Sequence, residues 1–193
     1  MEKSLQARKQ EVVQNAIFDA AIKLFCAKGF NETTVDEISA AAGVSQRSFF
    51  RYFPTKGDVL GYAIPSTGDV MIAVVRACPP EMAIIEVVRE AALAVHEFSV
   101  AQPYTRQVIE ITARNESARE THAAKMVELQ TRLSEVYAER LNAPSRDHML
   151  PRMLVRLTMM VEELAILSWY LDEAKDSHTA VDEVLAMLSG VIQ

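Results

Sequence analysis

Between Thr33 and Leu60 the chain reads TTVDEISAAAGVSQRSFFRYFPTKGDVL, and its punctuation leaves the backbone few options. Thr34 precedes Glu37 by three residues. The threonine hydroxyl can therefore accept from the amide at the third helical position while the carboxylate reaches back, which starts a helix near Val35. Ile38 and Ala42 share one face of it, and the small residues Ser39, Ala40 and Ala41 admit a close neighbour. Gly43 ends the helix because glycine enters the left-handed region without steric cost, and Ser45 is a natural cap for the next. The second helix runs over Gln46 to Phe53 and stops at Pro54. Phe49 and Phe53 face its core side. Gln46, Arg47, Ser48, Phe50 and Arg51 stay outside and carry amide, guanidinium, hydroxyl and apolar groups, which suit base edges and phosphates in a DNA major groove. Thr55 and Asp58 repeat the capping spacing, so a fourth helix is expected from Thr55, with Lys56 and the first-turn amides able to hold a phosphate together.

These residues resemble the DNA-binding domain of TetR-family transcriptional regulators: a framing first helix, a Gly43-Val44-Ser45 turn, an aromatic-rich recognition helix and a lysine after it. The likeness covers about residues 10 to 60. It implies that Gln46, Arg47, Ser48, Phe50, Arg51, Tyr52 and Lys56 touch DNA, with Thr34 on a phosphate. Departures are Phe50 where the family often has tyrosine, Tyr52 where it often has histidine, and Gly57 at a position that is usually polar. Loss of the phenol at Phe50 removes a phosphate hydrogen bond for which the charge of Arg51 compensates.

A net charge of −6 on 193 residues argues against nucleic acid only if the charge is spread evenly. It is not: residues 1–60 hold eight Lys/Arg against seven Asp/Glu, and the rest twelve against nineteen. Lys3, Arg8, Lys9, Arg47, Arg51 and Lys56 can form a local basic face. The charged start is no signal peptide, and no apolar run reaches the ~18 residues that span a bilayer. A cytoplasmic protein without a membrane segment is expected. Cys26 and Cys78 fit neither a disulfide framework nor a metal-ligand spacing, and Cys26 reads as a buried small hydrophobe.

The remaining pattern is helical throughout. A first helix is expected over about Lys9–Lys28, with Val13, Ile17, Ala20 and Leu24 on its inner stripe. After residue 56, Gly57, Gly61, Pro65 and Gly68 crowd one segment, which predicts a kink near Pro65 with Ser66 and Asp69 capping a second helical segment beyond it. Helices are then expected at about 81–100, 103–114, 117–142, 148–173 and 179–191, the last capped by Ser177. The fold class is all-α with about nine helices: a helix-turn-helix DNA-binding domain over residues 1–55, and a helical ligand-binding and dimerisation domain over residues 56–193.

Residues 149–171 are apolar almost all round, with Met149, Met153, Leu157, Met160, Leu164, Leu167 and Leu171 in one seam. Val181, Val184, Leu185, Leu188 and Val191 stripe the last helix. A homodimer through these two helices is the simplest arrangement and agrees with the resemblance, although a purely internal core also satisfies the pattern. The resemblance further implies a small-molecule pocket. Candidates are polar groups among apolar helices: His96, Tyr104, Arg106, Arg114, Arg156, Thr158 and Trp169, where an arginine would suit an anionic head on an apolar body. Each also reads as an ordinary surface or core residue.

The chain has no phosphate loop, nucleophile elbow or metal-spaced His/Cys cluster, and no cofactor is expected. His96, His122, His148 and His178 are scattered, and Glu162 and Glu163 point ~100° apart on a helix. An enzyme is disfavoured. The expectation is a ligand-responsive DNA-binding regulator, most often a repressor in this family, released from a palindromic operator by a small apolar or amphipathic effector. The alternative is an effector-independent DNA-binding accessory or architectural protein of the same fold.

Overall fold

A computed structural model describes residues 5–62, 64–172 and 174–192. These residues form nine α-helices and one 3-10 turn and contain no strand. The helices are α1 (Leu5–Lys28), α2 (Val35–Ala41), α3 (Gln46–Tyr52), α4 (Ile64–Ala77), α5 (Ile84–Val100), α6 (Thr105–Arg114), α7 (Glu116–Leu141), α8 (Met149–Leu171) and α9 (Ser177–Ile192), with the 3-10 turn over Gly57–Val59. Packing divides the chain into two compact units: residues 1–63 with 104–125, and residues 64–103 with 126–193. The division at 55/56 expected from function is therefore not the division made by packing. α6 and the first part of α7 belong with the helix-turn-helix, and α7 contributes residues to both units.

The first unit is built on aromatic anchors. Phe18, Phe25, Phe30, Phe49 and Phe53 are all buried together with Ile17, Ile38, Val59 and Leu60, and α6 and α7 add Ile111 and Ala118. Such large rings give a small helical unit the apolar burial it needs. Gly57 lets the 3-10 turn approach α7: a Cβ there would stand 2.7 Å from the Thr121 hydroxyl.

The fourth helix departs from expectation. Thr55 and Asp58 do exchange the expected bonds, with the Asp58 amide donating to the Thr55 hydroxyl (3.2 Å) and the Thr55 amide to the Asp58 carboxylate (3.0 Å). These caps open one 3-10 turn, and the α-helix starts only at Ile64. The break thus falls before Pro65, which lies in the first turn of α4, where its missing amide has no helical partner to lose. Ser66 and Asp69 lie inside α4 and recap nothing; Asp69 pairs with Arg132.

In the second unit α5 is central, packed against α4, α8 and α9. Val87, Val88, Ala91, Ala92 and Val95 are completely buried, and the two alanines allow close helix approach. Tyr137 is also fully enclosed, its hydroxyl 2.7 Å from that of Thr158, which donates to the Leu154 carbonyl at 2.8 Å. Arg140 closes the end of α4 by donating to the Cys78 carbonyl (2.8 Å). Ser177 does not cap α9. Asp176 does, accepting from the Thr179 amide (3.0 Å), and the Ser177 hydroxyl meets His96 instead.

A candidate DNA-binding surface

Every cap expected from the sequence around α2 and α3 is formed. The Thr34 hydroxyl accepts from the Glu37 amide (3.3 Å), the Glu37 carboxylate accepts from the Thr34 amide (2.9 Å), and Ser45 accepts from the Ser48 amide (3.1 Å). Gly43 has φ +67°, the left-handed conformation that turns α2 into α3. Val44 then donates to the Ser39 carbonyl at 3.0 Å and sets the angle between the two helices.

This local geometry fixes which side chains of α3 are presented. Phe49 is wholly buried, and it contacts Phe50 edge-on at 5.5 Å and Phe53 at 5.9 Å between ring centroids. Rotating about the helix from Phe49 leaves Gln46, Arg47 and Arg51 exposed and Phe50 52% exposed, a large ring half in water. Ser48 is partly buried and its hydroxyl accepts from Ser45 (3.1 Å). Arg51 folds across Tyr52, donating to the phenol oxygen at 2.9 Å with its guanidinium 4.7 Å from the ring centre, so these two side chains form one cationic platform. Thr34 is exposed at the start of α2. Arg8 and Lys9 are exposed on α1, and Lys3 lies outside the described residues.

Two residues behave differently from expectation. Lys56 does not stand in the first turn of an α-helix, because none begins there. Its ammonium donates to the carbonyls of Phe30 (2.7 Å), Asn31 (3.0 Å) and Thr33 (2.9 Å). Cys26 is exposed rather than buried, and partial desolvation, with Glu110 nearby, pushes its thiol pKa up, away from the thiolate that redox sensing needs.

Two further contacts carry no signal in the sequence. Lys28, in the last turn of α1, donates to Glu37 and so joins α1 to α2; this bond, together with those from Thr34, holds the exposed carboxyl at about 2. Tyr104 meets Phe18 edge-on at 4.7 Å and packs the start of α6 on α1. Both depend on tertiary approach that no local spacing reports.

The seven candidate ligand residues are divided between the two units. Tyr104, Arg106 and Arg114 belong to the first unit, whereas His96, Arg156, Thr158 and Trp169 belong to the second. Arg114 and Arg156 are exposed, Trp169 is partly buried, and Arg106 lies 3.8 Å from Glu110 one turn on. His96 is completely buried, with Nδ1 2.9 Å from the Ser177 hydroxyl and Nε2 3.3 Å from the Ala165 carbonyl; burial lowers its pKa and keeps the ring neutral. Thr158 is held by Tyr137 and Leu154. His96 and Thr158 are thus hydrogen-bonded core residues. Among the described residues no group of three or more His, Cys, Asp or Glu is placed to hold a metal, and no helix is long and apolar enough to cross a membrane.

Residues 17–63 match the tetR family of bacterial regulatory proteins. Over these residues the chain carries a tetR-family helix-turn-helix domain. It is 25% identical over 178 residues to the HTH-type transcriptional regulator TcmR of Streptomyces glaucescens, covering 86% of this chain and 77% of TcmR. Its fold is shared with NalD of Pseudomonas aeruginosa, the secondary repressor of the MexAB-OprM multidrug efflux pump (TM-score 0.62, 18% identity, 93% of this chain and 94% of that one). It is shared equally with the transcriptional regulator FadR of Bacillus subtilis in complex with stearoyl-CoA (TM-score 0.61, 15% identity, 90% and 96%).

The Glu37 carboxyl gives the helix-turn-helix a defined acid response. Its folded pKa lies below the ordinary 4.5, so its stabilising contribution is present above that value and is lost as pH falls towards about 2. Glu37→Gln keeps the capping geometry and removes the charge. Its urea midpoint should lie below wild type at pH 7, and the gap should narrow steadily as pH is lowered from 5 to 3. A gap that stays constant across that range contradicts the assignment.

Proposed function

We propose that this regulator binds double-stranded DNA as a homodimer, with α3 in the major groove, and that a small apolar or amphipathic molecule entering the second unit releases it. The observation that carries the DNA half is the outward presentation of Gln46, Arg47, Phe50 and Arg51 by a helix whose opposite side is locked in the core. Gln46 and Arg47 suit adenine and guanine edges, Phe50 suits a thymine methyl, and the Arg51–Tyr52 platform, Ser48 and Thr34 suit phosphates.

Dimerisation through α8 and α9 is supported by what α8 leaves uncovered. Met149, Met153, Met160, Leu164, Leu167 and Leu171 are 37–81% exposed along one stripe, while Leu157 turns inward to pack on the core. An apolar seam of this length on a monomer marks an interface. α9 adds Met187, and its Leu188 is partly buried against its own unit's core. The seam is centred on Met160, with exposed Arg156 four residues before it and exposed Glu163 three residues after. A two-fold axis through Met160 with the helices antiparallel brings Arg156 opposite the partner's Glu163 twice, whereas a parallel pairing opposes like charges. Arg156 fits this role better than that of a ligand contact.

The effector half rests on likeness of fold. The solved relative carrying stearoyl-CoA shares the fold, and its ligand has an apolar chain and an anionic head. The relative that represses an efflux pump shares the fold equally well. Tyr62–Arg76, containing the start of α4 and Pro65, is the segment where ligand-induced displacement can change direction, and the chain connects the two units twice more, at 103/104 and within α7. One observation favours the second reading, DNA binding without an effector: the Tyr137 and Thr158 hydroxyls bond to each other, Thr158 to the Leu154 carbonyl, and His96 to Ser177 and the Ala165 carbonyl, so their polar atoms are already partnered.

Two measurements separate these statements. In sedimentation, Arg156→Glu or Glu163→Arg alone should weaken the dimer, and the double exchange should restore it. A wild-type dimer indifferent to all three changes contradicts the antiparallel register, and a wild-type monomer at micromolar concentration contradicts the interface. Calorimetric titration with stearoyl-CoA, with and without bound DNA, tests the switch: linkage requires tighter binding to the free protein by the same factor by which the ligand weakens DNA binding. Equal affinity in both states rules out release by this ligand class.

A further inference from the structure

Lys56 lies four residues beyond α3, and its side chain returns to the turn that joins α1 to α2. An ammonium has three protons, and the carbonyls of Phe30, Asn31 and Thr33 accept at 2.7, 3.0 and 2.9 Å. The same nitrogen stands 4.8 Å from the centre of the Phe30 ring, which is buried and packs against Phe25 at 4.9 Å. These oxygens belong to the segment leaving the C-terminus of α1, where carbonyls lack helical donors and the helix dipole is negative. A cation is the group that such a turn needs, and one side chain supplies all three bonds.

The turn is locked from both sides. The Thr33 hydroxyl donates to the Gly29 carbonyl at 2.7 Å, and the next residue, Thr34, opens the capping box of α2. Fixing the Thr33 carbonyl therefore fixes the peptide that carries the Thr34 amide, and with it the start of α2. We propose that Lys56 is a positioning residue of the DNA-binding surface: it ties the chain leaving α3 to the α1–α2 turn, sets Thr34 and α2 relative to the recognition helix, and holds no phosphate itself. This rests on the DNA-binding reading above but departs from the phosphate contact implied by the family resemblance. A phosphate competing for Lys56 would have to draw it from three acceptors and an aromatic face, and would leave bare carbonyls of the same sign as the DNA beside it.

The two roles differ in salt dependence. Each phosphate contact adds about 0.9 to the slope of log affinity against log salt, whereas a residue acting through geometry adds nothing. Lys56→Met keeps the apolar stem over Phe30 and removes the donors. Its affinity should fall by the same factor at every salt concentration, for a selected site and for random duplex alike, with the wild-type slope, and amides 33–37 should exchange faster. Lys56→Gln, which discards the charge but keeps two donors, serves if the methionine variant does not fold, and should regain part of the affinity at the same slope. A slope shallower by about 0.9 with unchanged exchange makes Lys56 a phosphate contact and overturns the proposal. Faster exchange with unchanged DNA affinity overturns it too, since Lys56 would then stabilise the turn without positioning the surface. Failure of wild type to bind duplex is read separately and sinks the DNA-binding reading itself.

Discussion

A helix of seven residues has almost no stability of its own, because nucleation costs more than two turns of hydrogen bonds return. α3 is such a helix, and it persists because Phe49 is driven completely into the aromatic core while Ser45 caps its start. The rest of the candidate DNA-binding surface depends on that burial. It sets the rotation of α3, hence the exposure of Gln46, Arg47, Phe50 and Arg51, and it places the chain beyond Phe53 where Lys56 can reach back to the α1–α2 turn. α2 is equally short and is held in the same way, by Ile38 in the core and by the Lys28–Glu37–Thr34 network at its start.

Cations closing the ends of helices recur in both units. Lys56 satisfies carbonyls beyond α1, and Arg140 satisfies those beyond α4. In each case a group remote in sequence adds to the local turn, since Gly29 at φ +98° still ends α1 with its amide on the Phe25 carbonyl, and so ties the end of the helix to a distant element as well. The apolar faces follow a different logic: the inner side of α8 is buried through Leu154, Val155, Val161 and Ala165, and its outer side keeps a methionine and leucine stripe interrupted by Arg156 and Glu163. Charges inside an apolar stripe cost little on a free surface and specify orientation in a symmetric interface.

Much of this is legible in the sequence. The caps at Thr34 and Ser45, the left-handed Gly43, the buried Phe49 and Phe53 and the exposed Phe50 all follow from local spacing, because the bonds involved lie within four residues. The helix expected from Thr55 fails for the complementary reason: the Thr55–Asp58 pair looks the same whether it opens a 3-10 turn or an α-helix, and it says nothing of where Gly57 packs against Thr121 in α7. The surroundings of Lys56, Cys26, Tyr104 and the ligand candidates His96 and Thr158 come from residues far away in the chain, so local spacing misplaces them. Periodicity tells which side of a helix is inward, but not which partner is waiting there.

The claim on which the account turns is that two copies of α3 read DNA together. Selection of duplexes from a random pool by the intact protein, followed by determination of the stoichiometry on the enriched sequence, tests it directly. The account predicts an inverted repeat whose half-sites lie about one helical turn or more apart, bound by an even number of chains. Enrichment of an asymmetric site held by a single chain, or no enrichment over random duplex, would contradict it.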